Sequence, residues 1–519
     1  MIRIVTAQEM RWCDETTISK GGIPGILLME HAGAGVAEFV RQKYAPLSSK
    51  HLVVCCGKGN NAGDGFVVAR ILSQECAHIT VVLIAPPSAL KGDAKTNLEI
   101  LKMSSKSFSK NISFVQASQR TLKKISKPDV IVDAIFGTGF SGEVGQKYAS
   151  VIQWINSCKV PVVAVDIPSG VHGTTGRASN PAVHASATVT FGFLKTGLLC
   201  NEGREFSGER HVVDIGIPRS IGKHLSLKYS VIENDDVASR LPKRSIFAHK
   251  YSVGKVYVLG GSRGLTGAAA LCSLSAFRSG AGAVVLGTPE TVYPILAKKL
   301  TEVMTQPLPA TSIGTVHSDA LEVILKKASW ADVVLLGPGL GQHPETQKLI
   351  IQFLSLYNGK VVLDADALNA LAASDKKRIH SQAEIIITPH VGEFSRLSGI
   401  LSNDIETNRL QVAQEYSQKN RITLVLKGVP TVTAHYSGEV VMNSTGNPGM
   451  ATAGAGDVLA GLIAGLWAQG MSAFEAASCG VYLHGAAGDL AAKSIGMRSM
   501  LATDILKMIP KTLQSIERK

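Results

Sequence analysis

The sequence predicts two α/β domains, and three observations lead to this prediction. The chain has 519 residues, which is too many for one ordinary hydrophobic core. Short apolar, β-branched runs alternate with helical patterns, as in βαβ units with parallel sheets. Glycine is abundant, with 51 residues, and this suits many tight turns between strands and helices. We therefore expect one domain over residues 1–225 and a second over residues 226–519.

The candidate strands form two groups along the chain. In the first half they are "HLVVCC", "ITVVLIA", "DVIVDAIF", "VPVVAVDIP" and "ATVTFGF". In the second half they are "GKVYVLGG", "AVVLGT", "ADVVLLGPG", "KVVLDAD", "AEIIITPH" and "ITLVLKG". Residues 217–255 separate the groups and are polar and basic, so we place the domain boundary near Leu225–Ser230.

Composition and charge narrow the classes of function. The chain is 45% hydrophobic and 18% charged, which is typical of a well-packed globular protein. Its net charge is +13, but the basic residues are scattered, and the densest group, at residues 121–127, has no interleaved aromatic residues. Aromatic residues make up only 5% of the chain, too few for base-stacking platforms. We therefore expect anionic small molecules as ligands and no nucleic acid.

Cysteine usage and hydropathy indicate the compartment. The eight cysteines form no Cys-x-x-Cys pair, which argues against a cysteine metal site, and a chain this long seldom needs a disulfide framework. The first residues lack the apolar core of a signal peptide. The most apolar run, Val458–Trp467, is shorter than the roughly 20 residues that cross a bilayer. We expect a cytoplasmic protein with no membrane partner.

Residues that follow strands are the first candidates for a site, since open α/β sheets bind ligands beyond the carboxyl ends of their strands. In "VVCCGKGNNAGDGFVVARIL", Gly57, Gly59 and Ala62 fit a G-x-G-x-x-A dinucleotide pattern. That pattern also requires an acid at the end of the next strand, where this chain has Ala85 and Pro86. The dinucleotide fingerprint therefore fails its second requirement.

Oxygen-bearing side chains cluster at the same strand ends. They are Asn60, Asn61, Asp64, Asp133, Asp166 and Ser169. Asn61, Asp133 and Ser169 together offer oxygen ligands for a hard cation. Each residue alone is typical of a turn or cap. Because the carboxyl ends of parallel strands share one edge, the combination favours a binding site over turns alone.

Three motifs of the first half are "GKGNNAGDG", "FGTGFSGE" and "VDIPSG". Together they resemble the amino-terminal epimerase domain of the bifunctional NAD(P)H-hydrate repair enzymes. The resemblance covers about residues 4–218 and implies a Rossmann-like three-layer sandwich. It implies that Asn61, Asp133 and Ser169 bind potassium and that Asp166 contacts the nicotinamide as acid/base. The residues implied to hold the hydrated dinucleotide are Asn60, Asn61, Ala62, Gly63, Asp64, Gly137, Thr138, Gly139, Phe140, Ser141, Gly142, Glu143 and Asp166. The family usually has glycine at the position of Ala62, so its methyl group is expected to narrow the site.

A second candidate site begins at "NPGMATAGAGDVLAGLIAGL", residues 447–466. Small residues let a backbone approach a ligand closely, and the start of the following helix suits an anion. An acid at that point, Asp457, would lie beside a bound phosphate. The alternative is an N-cap aspartate on a tightly packed helix.

The second half resembles the ribokinase-like fold, and most closely its NAD(P)H-hydrate dehydratase branch. The motifs are "GGSRGLTGAAAL", "GPGLG", "DADALNAL", "TPHVGEFSRL", "KGVPTVTA" and the small-residue stretch, over about residues 243–510. The resemblance implies that backbone N–H groups of Ala453–Gly456 form an anion hole. Asp457 would take the proton from the hydroxyl of the hydrated nicotinamide ring. The family has threonine or varies where this chain has Ala455.

Further positions follow from the same resemblance. The nucleotide-binding residues would be Lys427, Gly428, Val429, Pro430, Thr431, Asn447, Pro448, Gly449, Met450, Ala451, Thr452, Ala453, Gly454, Ala455 and Gly456. The hydrate would contact Ala269, Gly339, His390 and Asp457. Taken alone, His390 is more typical of a satisfied strand-end histidine, and its place in "TPHVGE" favours a ligand contact. Asp364 and Asp366 are either related to magnesium or turn formers.

The two resemblances together imply one enzyme with two activities. The first domain would interconvert the R and S hydrates of NADH and NADPH. The second would dehydrate the S hydrate, with ADP, or else ATP, as phosphoryl donor and magnesium as its metal. We also expect a homo-oligomer. The alternatives are a kinase of a small sugar or vitamin precursor with a nucleotide-binding amino-terminal domain, and a nucleotide-sensing or partner-binding module without catalysis.

Overall fold

The chain divides into two compact units in a computed structural model that describes residues 1–218, 220–221, 228–374 and 381–517. One unit comprises Arg3–Leu227, and the other comprises Lys228–Lys519 together with Met1–Ile2. The predicted boundary between residues 225 and 226 lies outside the described residues.

The amino-terminal unit is built on a parallel sheet. Its strands are β1 (Ile2–Val5), β2 (His51–Cys56), β3 (His78–Leu83), β4 (Ile112–Gln116), β5 (Val130–Ala134), β6 (Val162–Val165), β7 (Ala187–Phe191), β8 (Leu194–Lys195) and β9 (Glu209–Val213). Seven of them form one sheet in the order β4-β3-β2-β5-β6-β7-β9, with every neighbouring pair parallel. The short strands β1 and β8 pair in parallel with each other.

Helices cover both faces of this sheet. The α-helices are Ala7–Ser19, Gly25–Tyr44, Asn60–Leu72, Gly92–Ser107, Gln119–Leu122, Gln146–Ser157 and Asn201–Phe206. Successive side chains of a strand point to opposite faces. Accordingly, Val54 of β2 packs in one apolar cluster with helix Gly25–Tyr44, whereas Val53 packs in another with helix Gln146–Ser157. The predicted three-layer α/β sandwich is therefore confirmed.

The carboxy-terminal unit contains a mixed sheet. Its strands are β10 (Tyr229–Ile232), β11 (Lys255–Leu259), β12 (Ala283–Pro289), β13 (Met304–Leu308), β14 (Val333–Leu336), β15 (Lys360–Leu363), β16 (Glu384–Ile387), β17 (Thr423–Leu426), β18 (Val432–Ala434) and β19 (Val440–Asn443). They follow the order β13-β12-β11-β14-β15-β16-β17-β18-β19-β10. The pairs from β13 through β17 are parallel, and β18 is antiparallel to both β17 and β19.

One helix of this unit is buried on every side. The α-helices are Asn234–Arg240, Thr266–Arg278, Tyr293–Lys299, Leu321–Ala328, Pro344–Leu356, Asp366–Ala373, Val391–Ser398, Ser402–Thr407, Arg409–Asn420, Ala455–Ala468, Ala473–Ile495 and Ala502–Glu517. In helix Ala455–Ala468 every residue from Val458 onward is buried. An all-round apolar helix of this kind belongs in a protein core or a membrane. Within the described residues, no helix has the length and apolar character needed to cross a membrane.

Candidate active sites

The first candidate site lies at the carboxyl ends of β2, β5 and β6. Helix Asn60–Leu72 starts just after β2, and its N-cap, Gly59, provides no side-chain acceptor for the first amide groups. Such free N–H groups suit an anionic ligand. Asn61 and Asp64, both on the first turns, are each only 8% exposed. The methyl group of Ala62 is fully buried in the apolar cluster below the helix, so it packs into the core.

The three predicted cation ligands meet around the peptide of Phe136. Ser169 Oγ donates to Asp133 Oδ1 at 2.6 Å and accepts from the Phe136 N–H at 2.9 Å. Asn61 Nδ2 donates to the Phe136 carbonyl at 3.0 Å. The Ser169 N–H also donates to Asp133 Oδ2 at 2.8 Å. The structure therefore brings Asn61, Asp133 and Ser169 together, as the strand-end pattern predicts.

Asp133 is the charged member of this group. Its side chain is fully buried, and burial raises its pKa to about 6, although hydrogen bonds from Ser169 and the Ile135 N–H oppose the shift. A neighbouring cation would favour the ionised carboxylate. Asn61 Nδ2 donates to the Phe136 carbonyl, so the other atom of the amide, Asn61 Oδ1, is the one that can act as a ligand. The donor set of carboxylate, amide and hydroxyl oxygens therefore fits a weakly charged, oxygen-seeking cation.

The loop Gly137–Glu143 forms one wall of the site. Phe136 and Phe140 stack with ring centroids 5.0 Å apart, and Glu143 Oε2 accepts from Ser179 Oγ at 2.8 Å. Gly137 is the residue of this loop that lies against the side chains of Asn61 and Asp166. A Cβ atom added there would lie 3.0 Å from Asn61 Oδ1 and 3.4 Å from Asp166 Oδ2.

Asp166 has an unusual backbone and a buried lysine partner. It follows β6 directly with a φ of 68°, a left-handed conformation that is uncommon for a residue other than glycine. Its Oδ1 accepts from Lys195 Nζ at 2.7 Å and from Thr190 Oγ1 at 3.1 Å. Neither Lys195 nor Thr190 is among the site residues predicted from the sequence. The available signal was a single lysine in the apolar segment "FGFLKTGLL".

In the carboxy-terminal unit, Asp457 lies in the first turn of helix Ala455–Ala468. The N-cap, Gly454, has a φ of 89° and supplies no side-chain cap. Burial raises the pKa of Asp457 to about 7; Asp364 adds to the shift and Lys427 opposes it. A carboxyl group that titrates near neutral pH suits a general base. Asp457 has no hydrogen bond to the helix start among the described residues, which disfavours the alternative of a simple N-cap.

Lys427 connects Asp457 to a second buried acid. Its Nζ lies 3.0 Å from Asp364 Oδ1, which also accepts from Thr388 Oγ1 at 2.7 Å. Burial lowers the pKa of Lys427, but Asp364 and Glu393 outweigh that effect and the pKa is raised overall. A Cβ atom added at Gly456 would lie 3.2 Å from Lys427 Nζ. A cation therefore lies beside the backbone of the small-residue loop.

The loop before that helix is held by hydrogen bonds at its beginning. Asn447 Nδ2 donates to Asp489 Oδ1 at 2.9 Å, and the Gly446 N–H donates to Asp489 Oδ2 at 2.9 Å. Asn447 Oδ1 in turn accepts from the Gly449 N–H at 3.0 Å. Asp489 is not among the predicted site residues, because it lies within helix Ala473–Ile495, far along the chain from the loop.

The predicted hydrate contacts of this unit differ in exposure. His390 is the N-cap of helix Val391–Ser398, where its Nδ1 accepts from the Gly392 N–H at 3.1 Å. The His390 side chain is nevertheless 56% exposed, so its ring edge is accessible to a ligand. Ala269 is completely buried, and Gly339 has a φ of 66° and accepts from Ser262 Oγ at 2.8 Å.

The structure gives Asp364 and Asp366 different surroundings. Asp364 is 2% exposed and forms the ion pair with Lys427. Asp366 Oδ2 accepts from the Gly341 N–H at 2.8 Å, as a turn-forming residue would. Among the described residues, no group of three or more His, Cys, Asp or Glu side chains is arranged to hold a metal ion.

Two family models match this chain. The model described as NAD(P)H-hydrate dehydratase matches residues 256–511, and the model described as YjeF-related protein N-terminus matches residues 26–197. Each match lies within one of the two units.

Relatives of similar length match across both units. The chain is 42% identical to a bifunctional NAD(P)H-hydrate repair enzyme of Moorella thermoacetica, over 99% of this chain and 97% of the relative. It is 34% identical to that of Escherichia coli K12, over 93% and 88%. Among solved structures, a ribokinase-like superfamily protein of Enterococcus faecalis V583 is 28% identical, with a TM-score of 0.50 over 56% of this chain and 98% of that one.

Proposed function

Because the chain belongs to the family of bifunctional NAD(P)H-hydrate repair enzymes, we propose roles for individual residues in its two sites. The protein is an NAD(P)H-hydrate epimerase and an ADP- or ATP-dependent NAD(P)H-hydrate dehydratase. The amino-terminal site is assigned to epimerisation and the carboxy-terminal site to dehydration.

In the epimerase site the hydrated dinucleotide lies between the start of helix Asn60–Leu72 and the loop Gly137–Glu143. The free amide groups after Gly59 receive its phosphates, since a helix start carries partial positive charge. Asp166 reaches the hydrated ring as acid/base. Its left-handed backbone supports this role, since strained residues persist where a site requires them.

In the dehydratase site the phosphoryl group of the nucleotide passes to the hydroxyl of the S hydrate. Asp457 accepts the hydroxyl proton, and the N–H groups of Ala453–Gly456 stabilise charge on the transferring group. Phosphate is a better leaving group than hydroxide. The lone pair of the ring nitrogen expels it to give an iminium ion, and loss of a proton from the adjacent ring carbon then restores the double bond of the reduced nicotinamide.

Lys427 and the magnesium ion would share the charge of the phosphates. Lys427 is partly buried beside Gly456, with its side chain 20% exposed, and it faces the position proposed for the transferring group. Magnesium usually takes most of its ligands from phosphates and water, and only one or two from carboxylates. It would therefore enter with the nucleotide and neutralise charge on the phosphoryl oxygens.

The position of Asp457, in the first turn of helix Ala455–Ala468 and next to Gly456 and Lys427, is the observation that carries the dehydratase assignment. Its pKa, which burial raises to about 7, supports that assignment. The test is to incubate the purified protein with S hydrate, magnesium and either ADP or ATP, and to follow recovery of NADH absorbance and release of phosphate. We expect recovery with ADP, and parallel reactions establish whether ATP replaces it. Asp457→Asn should lose about 100- to 10,000-fold in dehydration rate while epimerisation continues. Dehydration by Asp457→Asn at the wild-type rate would contradict the assignment.

Potassium is proposed for the site formed by Asn61, Asp133 and Ser169. The donor set supports it, because one carboxylate and two neutral oxygens suit a monovalent cation better than a divalent one. Epimerisation should be faster in potassium than in sodium or N-methylglucamine at equal ionic strength. Asp133→Ala should bind the hydrate more weakly and lose this dependence. Unchanged kinetics of Asp133→Ala in all three salts would exclude the site.

A homo-oligomer in the cytoplasm is proposed for the whole protein. Ile246 and Phe247 are 91% and 83% exposed, which supports an interface between copies. All eight cysteines are free, which supports a reducing compartment. Light scattering of the wild type and of Phe247→Ser tests the first part; a monomeric wild type would refute it.

A further inference from the structure

Lys195 is a charged side chain without a role in either proposed mechanism. It lies on β8 and is only 1% exposed, which is rare for a lysine. Its ammonium group has three acceptors: Asp166 Oδ1 at 2.7 Å, Thr190 Oγ1 at 3.0 Å and the Phe191 carbonyl at 2.7 Å. A protonated lysine has three N–H donors, so this arrangement uses all of them. Lys195 is therefore fully engaged as a cation and is not arranged to attack a ligand.

The same contacts divide the two oxygens of Asp166. Oδ1 accepts from both Lys195 and Thr190. Oδ2 points toward the loop Gly137–Glu143. It lies 3.4 Å from the position that a Cβ atom of Gly137 would occupy. One oxygen thus faces the protein interior, and the other faces the loop assigned to the hydrate.

We propose that Lys195, with Thr190, is a positioning residue for epimerisation that holds Asp166 by Oδ1 and presents Oδ2 to the hydrated ring. This inference rests on the proposed role of Asp166 as acid/base. The carboxylate of Asp166 contacts Thr190 on β7 and Lys195 on β8, and the Lys195 ion pair fixes the carboxylate plane. A fixed plane matters because a reacting group displaced by about 1 Å loses roughly 100-fold in rate.

Two other carboxyl groups influence the same region. Burial raises the pKa of Asp14 to about 6 and that of Asp64 well above its usual range; in both cases Asp166 adds to the shift and Lys195 opposes it. Of these three acids, Asp166 is the one that forms the described ion pair with Lys195. Of these three carboxyl groups, Lys195 therefore holds only that of Asp166 in an ion pair.

The test measures epimerisation of pure R hydrate by the full-length protein. The dehydratase site of the same protein, supplied with excess ADP, converts the S hydrate that forms. Lys195→Met keeps the length of the side chain and removes the charge. We expect kcat for epimerisation to fall about 100-fold while KM changes less than about twofold, since Lys195 does not face the ligand. Dehydration of pure S hydrate should be unchanged, which shows that the carboxy-terminal site is intact.

A second pair of variants covers the case in which Lys195→Met does not fold. Thr190→Val removes the hydroxyl and keeps the shape, whereas Thr190→Ser keeps the hydroxyl. We expect Thr190→Val to lower kcat about tenfold and Thr190→Ser to remain near wild type. Equal kcat for Thr190→Val and the wild type would overturn the proposal, as would a loss in Lys195→Met that lies entirely in KM.

The Asp166→Ala background separates this proposal from the one on which it rests. If Asp166→Ala epimerises at the wild-type rate, the role of Asp166 itself is wrong. If Asp166→Ala is inactive and Lys195→Met retains wild-type kcat, only the positioning role is wrong.

Discussion

At the scale of single residues, both units contain carboxyl groups whose pKa is raised by burial. Burial raises the pKa of Asp133 and of Asp14 to about 6 and that of Asp457 to about 7. Cations near these acids oppose the shift, namely Lys195 at Asp14 and Lys427 at Asp457. Titration close to neutral pH is what acid/base chemistry requires.

The pH profile of dehydration should reveal Asp457. A general base works in its ionised form, so kcat with S hydrate and ADP should rise as the pH increases through about 7 and level off above it. The measurement is initial recovery of NADH absorbance between pH 5.5 and about 8.5. A control with Asp457→Asn should show no such rise in its residual rate. A wild-type rate that falls across this range would contradict the assignment.

Asp457 should lower the stability of the folded protein at alkaline pH. The folded pKa of Asp457 lies above its unfolded value of about 3.9, so its contribution to stability is fully present below that value. That contribution is lost as the pH rises through about 7. Asp457→Asn should therefore unfold at a higher temperature than wild type at pH 8, by a few degrees, with a smaller difference at pH 5. A difference that is larger at pH 5 would refute this.

At the scale of elements, the loop Gly137–Glu143 should not tolerate a methyl group at Gly137, whereas the nearby Gly145 should. A Cβ atom at Gly137 would press on the side-chain amide of Asn61, whereas one at Gly145, just beyond the loop, would have no neighbour within 4 Å. Overpacking typically costs about 1–3 kcal/mol. Gly137→Ala should thus lose about tenfold in kcat/KM for epimerisation relative to Gly145→Ala. Equal kinetics of the two variants would count against this wall of the site.

Buried strands could be predicted from the sequence, and several edge or short strands could not. "HLVVCC" coincides with β2, and "KVVLDAD" contains β15 (Lys360–Leu363). Both are apolar runs, as expected for strands covered on both faces. In contrast, β9 (Glu209–Val213) is charged and mostly exposed, and β4 is only partly buried, because each lies at an edge of its sheet. Strand order depends on long-range packing that no local pattern encodes.

For the sites, Asn61, Asp133 and Ser169 could be predicted from their places at strand ends, and the structure brings them together. Lys195 and Asp489 could not be predicted, because these partners come from other segments and carry no local motif. Their contacts arise only when strand β8 or helix Ala473–Ile495 comes to lie beside residues that are distant along the chain. The catalytic roles themselves remain predictions.

At the scale of the whole molecule, the chain carries two activities whose proposed residues are separate. Relatives that match nearly its full length are bifunctional repair enzymes, which favours this function over a sugar or vitamin kinase. Asp166→Ala should repair R hydrate only as fast as it epimerises spontaneously, and Asp457→Asn should not complete repair. An equimolar mixture of the two variants should restore rapid repair of R hydrate, as measured by recovery of NADH. A mixture no faster than Asp166→Ala alone would show that both sites must be intact in one chain.

The distribution of the free cysteines has a consequence for chemical labelling. Seven of the eight are buried, and Cys158 is partly accessible. Burial raises the pKa of Cys13 and Cys76 to about 11 and that of Cys479 to about 12, so these thiols hardly form the reactive thiolate at neutral pH. The native chain therefore behaves almost as a protein with a single thiol. A maleimide fluorophore attached at Cys158, beyond helix Gln146–Ser157, would report on the amino-terminal unit without any cysteine being removed.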